Sequence, residues 1–488
     1  MNLAIHASHH GSITIFNEKE IIVHTQIDRF NKFKGHSHPE KKLINKLKQF
    51  KFNKVFITSL EDHCVGLWKT ILVKNNIIDA INIYEDHCLN HHLFHAYCSA
   101  LMNDTENCVV CDGRGAVTNG QYEYFSIYKN LKNYKTFTNQ LTHGLGEVYE
   151  CVRKEFGWSY GQEGKLMALS TYGKFDRQIE KQIWNGVSFN KNLKSGTDIE
   201  LKKNIFDNVN EDLAKTTQEI CERIFFNILQ ENKIEKNISL TGGFAQNVIN
   251  NTKLLNSYNV YVDPFNSDQG ISLGVANYVS NNKLNKLNTV YLGFKPEYNF
   301  NFSKDFEIKK TTAREVAKIL NEHPVAIFQG RSEQGQRGLG NRSLLINPLT
   351  KNSLEKISQI KKREWFRPFA ATVTFDKFNH YFYDNKSNGD YMLFTYGVKQ
   401  SLKEKFKNIL SNNNDCRLQI LKKEKNESLY YLIKELSLLS NFEIVLNTSL
   451  NLPGEPLVED LEDLEYTMKK SGLIYAYLPD VQKLIVKH

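Results

Sequence analysis

Short apolar runs alternate with polar turns through the first part of the chain. Longer segments with helical periodicity lie between and after these runs, and strands that alternate with helices predict an α/β architecture. No internal repeat is visible in the sequence. The runs that predict β-strands are Leu3–Ile5, Ser12–Phe16, Ile21–Thr25, Val55–Thr58, Ala80–Tyr84, Cys108–Cys111 and Ile238–Thr241.

The pattern changes between residues 280 and 310, where Asn and Lys are frequent and long apolar periods are few. We therefore predict two domains, over residues 1–300 and 301–488. In the second domain, the polar stretch Lys403–Asn426 indicates an exposed helix or a mobile insertion. The other elements predicted there are the helix Thr312–Asn321 and the strands Val325–Gln329 and Phe442–Asn447.

The composition indicates a folded protein with more than one core. The chain has 488 residues, of which 41% are apolar and 24% charged, so it is too apolar to be disordered and too long for one core. No run approaches the roughly 20 apolar residues of a membrane span, and no signal segment opens the chain. The eight cysteines are widely spaced, which favours reduced thiols and a cytoplasmic location over a disulfide framework. Cys108 and Cys111 form a CxxC, but the apolar run around them favours a buried strand.

The positions of the charged residues along the chain are more informative than the net charge. The formal net charge of +9 suits an anionic partner such as a nucleic acid, but most of the cations are Lys, and solvated surface lysines give the same charge without a partner. Five of the twelve arginines fall within 37 residues. The planar guanidinium group binds phosphate and carboxylate groups through paired hydrogen bonds, so this segment predicts an anion site. These five are Arg331, Arg337, Arg342, Arg363 and Arg367.

Histidines are concentrated at the other end of the chain, where eleven of the fifteen occur by residue 95. On a helix, His91 and His95 would project from one face, as two imidazoles that bind one metal must. Asp112 and Asp268, each in a predicted turn, could add oxygen ligands, and such a set would suit Fe(II), Mn(II) or Zn(II). The alternative is that the HxxxH pattern arises by chance and that both aspartates only shape turns.

Three further segments follow predicted strands and carry glycines or short polar side chains. Gly242-Gly243 would free backbone amides to hold a phosphate, although such a pair is often only a turn. Gln329–Ser343 interleaves three arginines with four glycines, and repulsion among the guanidinium groups favours a site for two phosphorylated ligands over a solvated basic face. Asn447–Pro456 would hold ribose or phosphate through hydroxyl and amide groups, or would form an ordinary turn.

Taken in order, these motifs resemble the ATP-dependent O-carbamoyltransferases, the family of the enzymes that carbamoylate nodulation factors, cephamycin and tobramycin. The resemblance covers essentially the whole chain. His9-His10-Gly11-Ser12 resembles the family's His-Asp-Ala-Ser, and His91–Ala96 resembles its His-His-Leu-Ala-His-Ala. Gln329–Ser343 is similar to its Gln-Gly-Arg-Met-Glu-Phe-Gly-Pro-Arg-Ala-Leu-Gly-Asn-Arg-Ser. Further matches lie at Asp28–Phe30, Gly161–Gly173, Thr241–Asn247, Arg363–Ala370 and Asn447–Pro456.

The resemblance implies an N-terminal actin-like, sugar-kinase-type domain and a C-terminal α+β domain of the threonylcarbamoyl-adenylate synthase type. It implies that ATP, Mg and carbamoyl phosphate form a carbamoyl-adenylate at the C-terminal domain, and that the carbamoyl group passes to a hydroxyl acceptor at the N-terminal metal site. The metal ligands carried over, for Fe(II) or another divalent ion, are His91, His95, Asp112 and Asp268. The catalytic residues carried over are His9, as the proton acceptor with His36 and His38 as alternatives, and Arg337 and Arg367, which stabilise charge. The ligand-binding residues carried over are Lys165, Gly242, Gly243, Asn247, Arg331, Glu333, Arg342, Ser343, Lys361, Arg363, Asn447, Ser449 and Asn451.

The sequence departs from the family pattern at His10, where Asp is usual, and at Gln246, Gln336 and Gly338. These changes leave the reaction class intact and leave the acceptor open. The acceptor is expected to be a sugar, an antibiotic or another small molecule, and the basic charge also permits a hydroxymethylated base such as 5-hydroxymethylcytosine in DNA. A homodimer without membrane contact is expected. The rival functions are a regulator that binds nucleotides or nucleic acid without catalysis, and a tRNA threonylcarbamoyl transferase, whose two halves normally belong to separate proteins.

Overall fold

The computed structural model describes residues 1–86, 90–118, 120–138, 144–159, 161–189, 199–201 and 209–488. Two sheets of the same strand order form the first part of the chain, and one large sheet forms the last part. The strands of the first sheet are β1 (Asn2–His6), β2 (Ser12–Phe16), β3 (Ile21–Gln26), β4 (Lys54–Thr58) and β5 (Ile83–Asp86). Those of the second are β6 (Asn107–Cys111), β7 (Val117–Thr118), β8 (Gln121–Lys129), β9 (Lys132–Thr138), β12 (Asn237–Thr241) and β13 (Asn259–Val262), and a separate hairpin is formed by β10 (Val187–Phe189) and β11 (Ile199–Leu201).

The first sheet has the strand order β3-β2-β1-β4-β5. Strands β1, β2 and β3 form an antiparallel meander, whereas β4 pairs in parallel with β1 and β5 pairs in parallel with β4. The central strands are covered on both faces, which explains why they are continuous buried runs instead of alternating ones.

The second sheet repeats this arrangement, with the order β13-β12-β6-β8-β9 and β7 paired at the edge of β8. Its first three long strands are antiparallel and its last two are parallel, so in chain order both sheets read 3-2-1-4-5. Two sheets of this order are the organisation of actin-like, sugar-kinase-type domains, which confirms the fold predicted for the first domain. The repeat is one of strand order, and it is not visible in the sequence.

Two helices lie between these sheets and carry part of the site described below. Helix α9 packs on β1 and β2, helix α3 packs on β6 and β12, and the two helices pack on each other. The helices of this part are α1 (Lys41–Leu47), α2 (Asp62–Lys74), α3 (His91–Met102), α4 (Leu145–Glu155), α5 (Glu163–Leu169), α6 (Arg177–Gly186), α7 (Glu211–Glu231), α8 (Val248–Leu254) and α9 (Ile271–Val279).

The last part of the chain forms a nine-stranded sheet of order β14-β22-β21-β15-β16-β20-β17-β19-β18. The predicted helix at Thr312 is confirmed, since Thr312 caps α10 and Glu315 bonds back to it in a capping box. The strands are β14 (Phe306–Lys310), β15 (Val325–Phe328), β16 (Arg342–Ile346), β17 (Ala370–Thr374), β18 (Thr395–Gly397), β19 (Asp415–Leu421), β20 (Ile444–Ser449), β21 (Tyr475–Leu478) and β22 (Lys483–Lys487). The helices are α10 (Ala313–Leu320), α11 (Ser353–Lys361), α12 (Phe375–Tyr381), α13 (Lys403–Phe406), α14 (Glu427–Ser440) and α15 (Leu461–Ser471).

Two element predictions need correction. The strand predicted over Ala80–Tyr84 begins only at Ile83, because a 3₁₀ turn occupies Ala80–Asn82. The stretch Lys403–Asn426 begins with the short, partly exposed helix α13, but the rest of it is not a mobile insertion, because it contains β19, which lies between β17 and β18. Cys416, Leu418 and Ile420 alternate there with polar residues and face the core, a strand pattern too short to stand out in a polar stretch.

The two parts of the chain pack closely on each other. Residues 280–305 contain no helix or strand, and the boundary predicted at residue 300 falls within this segment. Hydrogen bonds from side-chain amides to main-chain carbonyls join the two parts. They run from Gln26 Nε2 to the Gly335 carbonyl (3.2 Å) and from Asn251 Nδ2 to the Leu393 carbonyl (3.1 Å). In the part of the chain that the structure describes, no helix combines the length and apolar character that crossing a bilayer requires.

Candidate functional site

The four predicted metal ligands come from different elements and meet at the edge of the second sheet. His91 and His95 lie one turn apart at the start of α3, and Asp112 directly follows β6. Asp268 lies in the short 3₁₀ turn that leads into α9. The parallel strands β6 and β12 end at this same edge, which brings the Gly242-Gly243 turn beside Asp112.

The distances fit one ion held by all four side chains. Nε2 of His91 and Nε2 of His95 each lie 3.2 Å from Asp112 Oδ2, and they lie 3.5 and 3.6 Å from Asp268 Oδ1. One ligand atom from each of the four residues lies within 4.8 Å of every other. Two imidazole nitrogens and two carboxylate oxygens are a donor set that Fe(II), Mn(II) and Zn(II) accept.

The glycine turn holds Asp112 in position. Oδ1 of Asp112 accepts hydrogen bonds from the main-chain amides of Gly113 (2.8 Å) and Gly243 (3.0 Å), which leaves Oδ2 for the histidines. A Cβ at Gly242, whose φ is +89°, would lie 2.3 Å from the Cys111 carbonyl oxygen, and a Cβ at Gly243 would lie 2.8 Å from Asp112 Oδ1. The two glycines are therefore required for the approach of β12 to Asp112, whether or not they also contact a phosphate.

Both aspartates are charged in this site. Burial would raise the pKa of Asp112 and of Asp268, but contacts with the histidines outweigh it and lower both pKa values below the ordinary range. His6, at the end of β1, lies with Nε2 3.9 Å from Asp268 Oδ2, and burial lowers its pKa. Sequence reasoning missed His6, although its place at the end of a central strand of the first sheet was a usable signal.

The predicted proton acceptor, His9, lies just beyond the end of β1 under the loop of residues 31–38. The rings of His9 and His10 are 3.9 Å apart, and the His10 amide donates to the Gly35 carbonyl (3.1 Å). Asp28 anchors this loop by accepting a hydrogen bond from the Gly35 amide (2.9 Å). Burial, followed by the charges of His9 and Lys34, lowers the pKa of His10 to about 3, so His10 is a neutral imidazole.

The alternative proton acceptors predicted in the same loop, His36 and His38, contact each other. Their ring centroids are 4.5 Å apart, and Nδ1 of His36 lies 2.6 Å from Asn31 Nδ2. This places both of them in the loop that covers His9.

Four arginines of the last part form a group that we call the arginine cluster: Arg337, Arg363, Arg367 and Arg417. Burial, followed by mutual repulsion, lowers the pKa of Arg337 and Arg363 well below the ordinary range, and it lowers that of Arg417 to about 10. Among the described residues, the one acidic side chain that forms an ion pair with the cluster is Glu364, 3.0 Å from Arg367 Nη1. Arg417, which lies on β19, was not predicted, although it is one of only twelve arginines in the chain.

The cluster retains unused hydrogen-bond donors. Nε of Arg337 and Nε of Arg417 are buried and have no hydrogen-bond partner among the described residues. Arg337, Arg363 and Arg417 are nevertheless only half-buried as whole side chains, as expected for residues that line a cleft. Buried cations with free donors and one carboxylate among them form a site for an anion of high charge.

Arg331, Glu333 and Arg342 have main-chain partners instead. The Arg342 guanidinium donates to the carbonyls of Gln329 (2.6 Å), Asn341 (3.0 Å), Gly330 (3.2 Å) and Glu459 (3.3 Å), and it stacks on Phe328. Arg331 donates to the carbonyls of Ile22 (2.6 Å) and Gly293 (3.3 Å). Glu333 accepts from the amides of Leu339, Asn341 and Arg342. These hydrogen bonds shape the loop that carries Arg337, and phosphate contact by these residues stays a prediction.

Other predicted ligand-binding residues lie beside the cluster or fix its surroundings. Lys361 Nζ donates to the carbonyls of Ser449 (2.8 Å) and Asn451 (2.7 Å) and to Asn451 Oδ1 (2.7 Å), which joins α11 to the turn after β20. Lys165, on α5 of the first part, pairs with Glu364 Oε1 at 2.5 Å.

Three more predicted residues are held inside the fold. Asn447 donates to Thr372 Oγ1 (2.9 Å), and the Ser343 hydroxyl accepts from the Gly340 amide (2.9 Å). Asn247 caps α8, where its Oδ1 accepts from the Asn250 amide (3.0 Å). Their buried hydrogen bonds define the shape of the surrounding loops.

Lys34 was also missed. It lies in the loop over His9 and is exposed. Desolvation lowers its pKa; Asp28 opposes this shift, and the charges of Arg337 and Arg367 add to it. The charge of Lys34 in turn lowers the pKa of His10, so Lys34 acts electrostatically on both His10 and the arginine cluster.

Comparison with known proteins agrees with this two-centre arrangement. Residues 9–277 match the family description Carbamoyltransferase N-terminus, and residues 316–483 match Carbamoyltransferase C-terminus. The chain is 28% identical to an uncharacterised protein of Methanocaldococcus jannaschii, over 95% of each chain. It is 25% identical to the nodulation protein NolNO of Sinorhizobium fredii, over 95% of this chain and 77% of that protein.

Among solved structures, the activator of 2-hydroxyisocaproyl-CoA dehydratase from Clostridium difficile with bound ADPNP aligns with 58% of this chain and 94% of that one. The identity is 12% and the TM-score 0.35, so the likeness is distant. The two sequence matches together span nearly the whole chain, in the order of the two structural parts. The chain belongs to the carbamoyltransferase family, and it is an enzyme of that class.

Proposed function

We propose that the protein forms carbamoyl-adenylate at the arginine cluster and transfers the carbamoyl group to a hydroxyl acceptor at the metal centre. The observation that carries the proposal is the arginine cluster, whose four guanidinium groups share one paired carboxylate, Glu364. Like charges this close in a protein interior repel one another strongly, and a polyanionic ligand removes that repulsion. The triphosphate of ATP and the phosphate of carbamoyl phosphate are such anions.

The first reaction joins two negatively charged substrates. Water releases carbamate and inorganic phosphate from carbamoyl phosphate, a carbamate oxygen attacks the α-phosphorus of ATP, and pyrophosphate leaves with Mg. Two anions repel each other in water, so most of the catalysis would come from cations that hold them together. Arg337 and Arg367 neutralise the reacting phosphates, while Arg363 positions them and Lys361 adds positive charge from behind the turn after β20.

The second reaction moves the carbamoyl group towards the first part of the chain. The acceptor hydroxyl attacks the carbamoyl carbon, its proton passes to His9, and AMP leaves. His91, His95, Asp112 and Asp268 would hold a divalent ion, which would supply Lewis-acid polarisation of the carbamoyl carbonyl. The half-buried His9 and the exposed Lys34 in the loop above it support a path between the two centres.

Two acceptor classes are compatible with the site. A small hydroxylated molecule such as a sugar is the first, and it suits a cleft between two packed domains. A hydroxymethylated base in DNA is the second, and the net charge of +9 favours it. A DNA acceptor would have to flip its base into the cleft, and its modification would weaken steeply with salt.

The test is mass spectrometry of both acceptor classes after incubation with the protein, ATP, Mg and carbamoyl phosphate. DNA that contains 5-hydroxymethylcytosine and a panel of hydroxylated sugars should be assayed together, with AMP measured in every reaction. We expect one acceptor class to gain the mass of a carbamoyl group with one AMP released per transfer. The absence of AMP and pyrophosphate under all conditions would refute the adenylate route.

The His91→Ala variant separates the two centres. It should still release AMP and pyrophosphate, because the arginine cluster is intact, but it should lose both the bound divalent ion and the carbamoylated product. A variant that loses the ion and keeps full transfer would contradict the assignment of the metal centre. Arg314→Ala, an exposed arginine on α10, serves as the control that should change neither reaction.

A further inference from the structure

A second group of potential metal ligands lies at the start of α2, apart from the four ligands of the metal centre. It consists of Glu61, His63 and Cys64, and one ligand atom from each lies within 4.8 Å of the others. Cys64 Sγ lies 3.4 Å from Glu61 Oε2 and 3.4 Å from His63 Nε2, and His63 Nε2 lies 3.6 Å from Glu61 Oε2. The three atoms thus form a nearly equilateral triangle.

The size of this triangle matches one face of a zinc coordination sphere. A tetrahedral zinc ion, with its sulfur ligand at about 2.3 Å and its nitrogen and oxygen ligands at about 2.0 to 2.2 Å, separates neighbouring ligand atoms by roughly 3.3 to 3.6 Å. A thiolate, an imidazole and a carboxylate are all zinc ligands. We propose that Glu61, His63 and Cys64 bind a zinc-class divalent cation.

The surroundings allow an ion to enter and to remain. Cys64 is only 2% exposed and packs against the core of the first sheet, so the sulfur is fixed from the inner side. The His63 and Glu61 side chains are 73% and 53% exposed, which leaves the outer side open to solvent and to a water ligand. Three protein ligands with one open position are a common zinc arrangement.

The ion would change the state of the thiol. Burial and the neighbouring Glu61 raise the pKa of Cys64 to about 11, so the metal-free thiol keeps its proton. Metal binding releases that proton and neutralises the carboxylate beside it. Helix α2, which carries the site, also contacts the loop over His9, because Trp68 donates to the Ser37 carbonyl (2.8 Å).

The thiol distinguishes this site from the metal centre, whose ligands include no sulfur. Co(II) is therefore a suitable probe, since only a cobalt thiolate gives the strong charge-transfer absorption in the near ultraviolet. The full-length protein should be stripped with a chelator and titrated with Co(II), and bound zinc should be counted separately by elemental analysis. We expect the charge-transfer band both in the wild-type protein and in His91→Ala. We also expect His91→Ala to bind one equivalent of zinc fewer than the wild-type protein.

Variants of the three ligands complete the test. Cys64→Ser should lose the band and one equivalent of zinc, whereas Cys416→Ser, which removes another buried thiol, should retain both. Loss of a group that only orients a metal ligand costs about tenfold to a hundredfold in metal affinity, so loss of the ligand itself in His63→Ala should raise the Kd for Co(II) by on the order of tenfold or more. His63 is exposed and cannot disturb the core, so this variant decides the question if Cys64→Ser does not fold.

Three results would overturn the site: no charge-transfer band at saturating Co(II), a band that survives Cys64→Ser, or an unchanged Kd in His63→Ala. Each would mean that the triangle is only a hydrogen-bonded cluster in which the thiol donates to Glu61. None of them bears on the carbamoyl transfer reaction, which uses other residues.

Discussion

Two sets of arginines, one fully buried and one half-buried, differ in the acidic partners around them. Arg342 is surrounded by four carbonyl oxygens and by the charges of Glu459 and Glu333, and Arg29 of the first part lies 3.6 Å from Glu459. We call Arg29, Arg342, Glu333 and Glu459 the paired network. In the arginine cluster, by contrast, Glu364 is the one described carboxylate that forms an ion pair.

The different surroundings of the two sets predict different effects of substitution on stability and on catalysis. A buried cation with its partners in place is stable only while those partners remain, so removing it leaves uncompensated charge and unmet acceptors. Half-buried cations with few acidic partners repel one another and destabilise the folded protein until an anion binds. The paired network should therefore matter for folding and the cluster for catalysis, and substitutions in each can test this division.

The largest effect is expected for Arg342→Ala. The substitution removes the guanidinium donor from four carbonyls and takes one of two cations from Glu459, and breaking a buried pair in this way costs about 3 to 5 kcal/mol of unfolding free energy. Equilibrium urea unfolding measures it, with Arg314→Ala as the surface control. A loss below about 1 kcal/mol, the range of ordinary surface substitutions, would remove Arg342 from the structural set.

Arg337→Ala should show the opposite behaviour. Removing one preorganised group that stabilises developing charge costs about 10²- to 10³-fold in rate, so pyrophosphate and AMP release should fall by that factor. Its unfolding free energy should stay within about 1 kcal/mol of the wild type, because no ion pair is lost. Retained adenylate formation would show that the cluster does not bind the reacting phosphates.

Anion binding should stabilise the protein through the cluster alone. Pyrophosphate at 100 times its Kd should add about 2.7 kcal/mol to the unfolding free energy, since only the folded state binds it. Arg363→Ala should lose most of this gain, and Arg342→Lys, which alters the paired network, should keep it. Thermal unfolding with and without pyrophosphate measures both, and an equal gain in Arg363→Ala would locate the anion elsewhere.

From the sequence, the five clustered arginines were predicted to form one anion site. In the structure they fall into two groups with different partners. Arg331 and Arg342 each bond to two or more main-chain carbonyls, whereas Arg337 and Arg363 bond to one each and lie with Arg367 and with Arg417, from a strand 50 residues further along the chain. Guanidinium spacing along a chain does not reveal which carbonyls will surround each group, since that depends on loop geometry. Arg417 was missed because the stretch that contains it was predicted to be mobile.

The metal ligands were easier to predict than the cleft. His91 and His95 are local, because helical spacing alone fixes their common face, and the turns after strands bring Asp112 and Asp268 to the same sheet edge. The contacts of His6 and Lys34 depend on how the first sheet and the loop over His9 pack; His6 is marked only by its place at a strand end, and no local pattern marks Lys34. The duplicated strand order was hidden for the same reason, because equivalent strands need only be apolar.

The smallest expected effect is a pH dependence that belongs to the paired network. Burial raises the pKa of Glu459 above its usual 4.5, so the folded protein holds this proton to a higher pH than the unfolded chain does. Between these two pKa values the native state binds more protons, and the unfolding free energy therefore falls as the pH rises from about 4.5 and levels off above the folded pKa. Glu459→Gln cannot titrate and should lack this part of the slope, while Arg337→Ala should keep it, as urea unfolding over a pH series would measure. An unchanged slope in Glu459→Gln would mean that Arg29 and Arg342 keep the carboxylate ionised, and the paired network would then be fully charged in the folded protein.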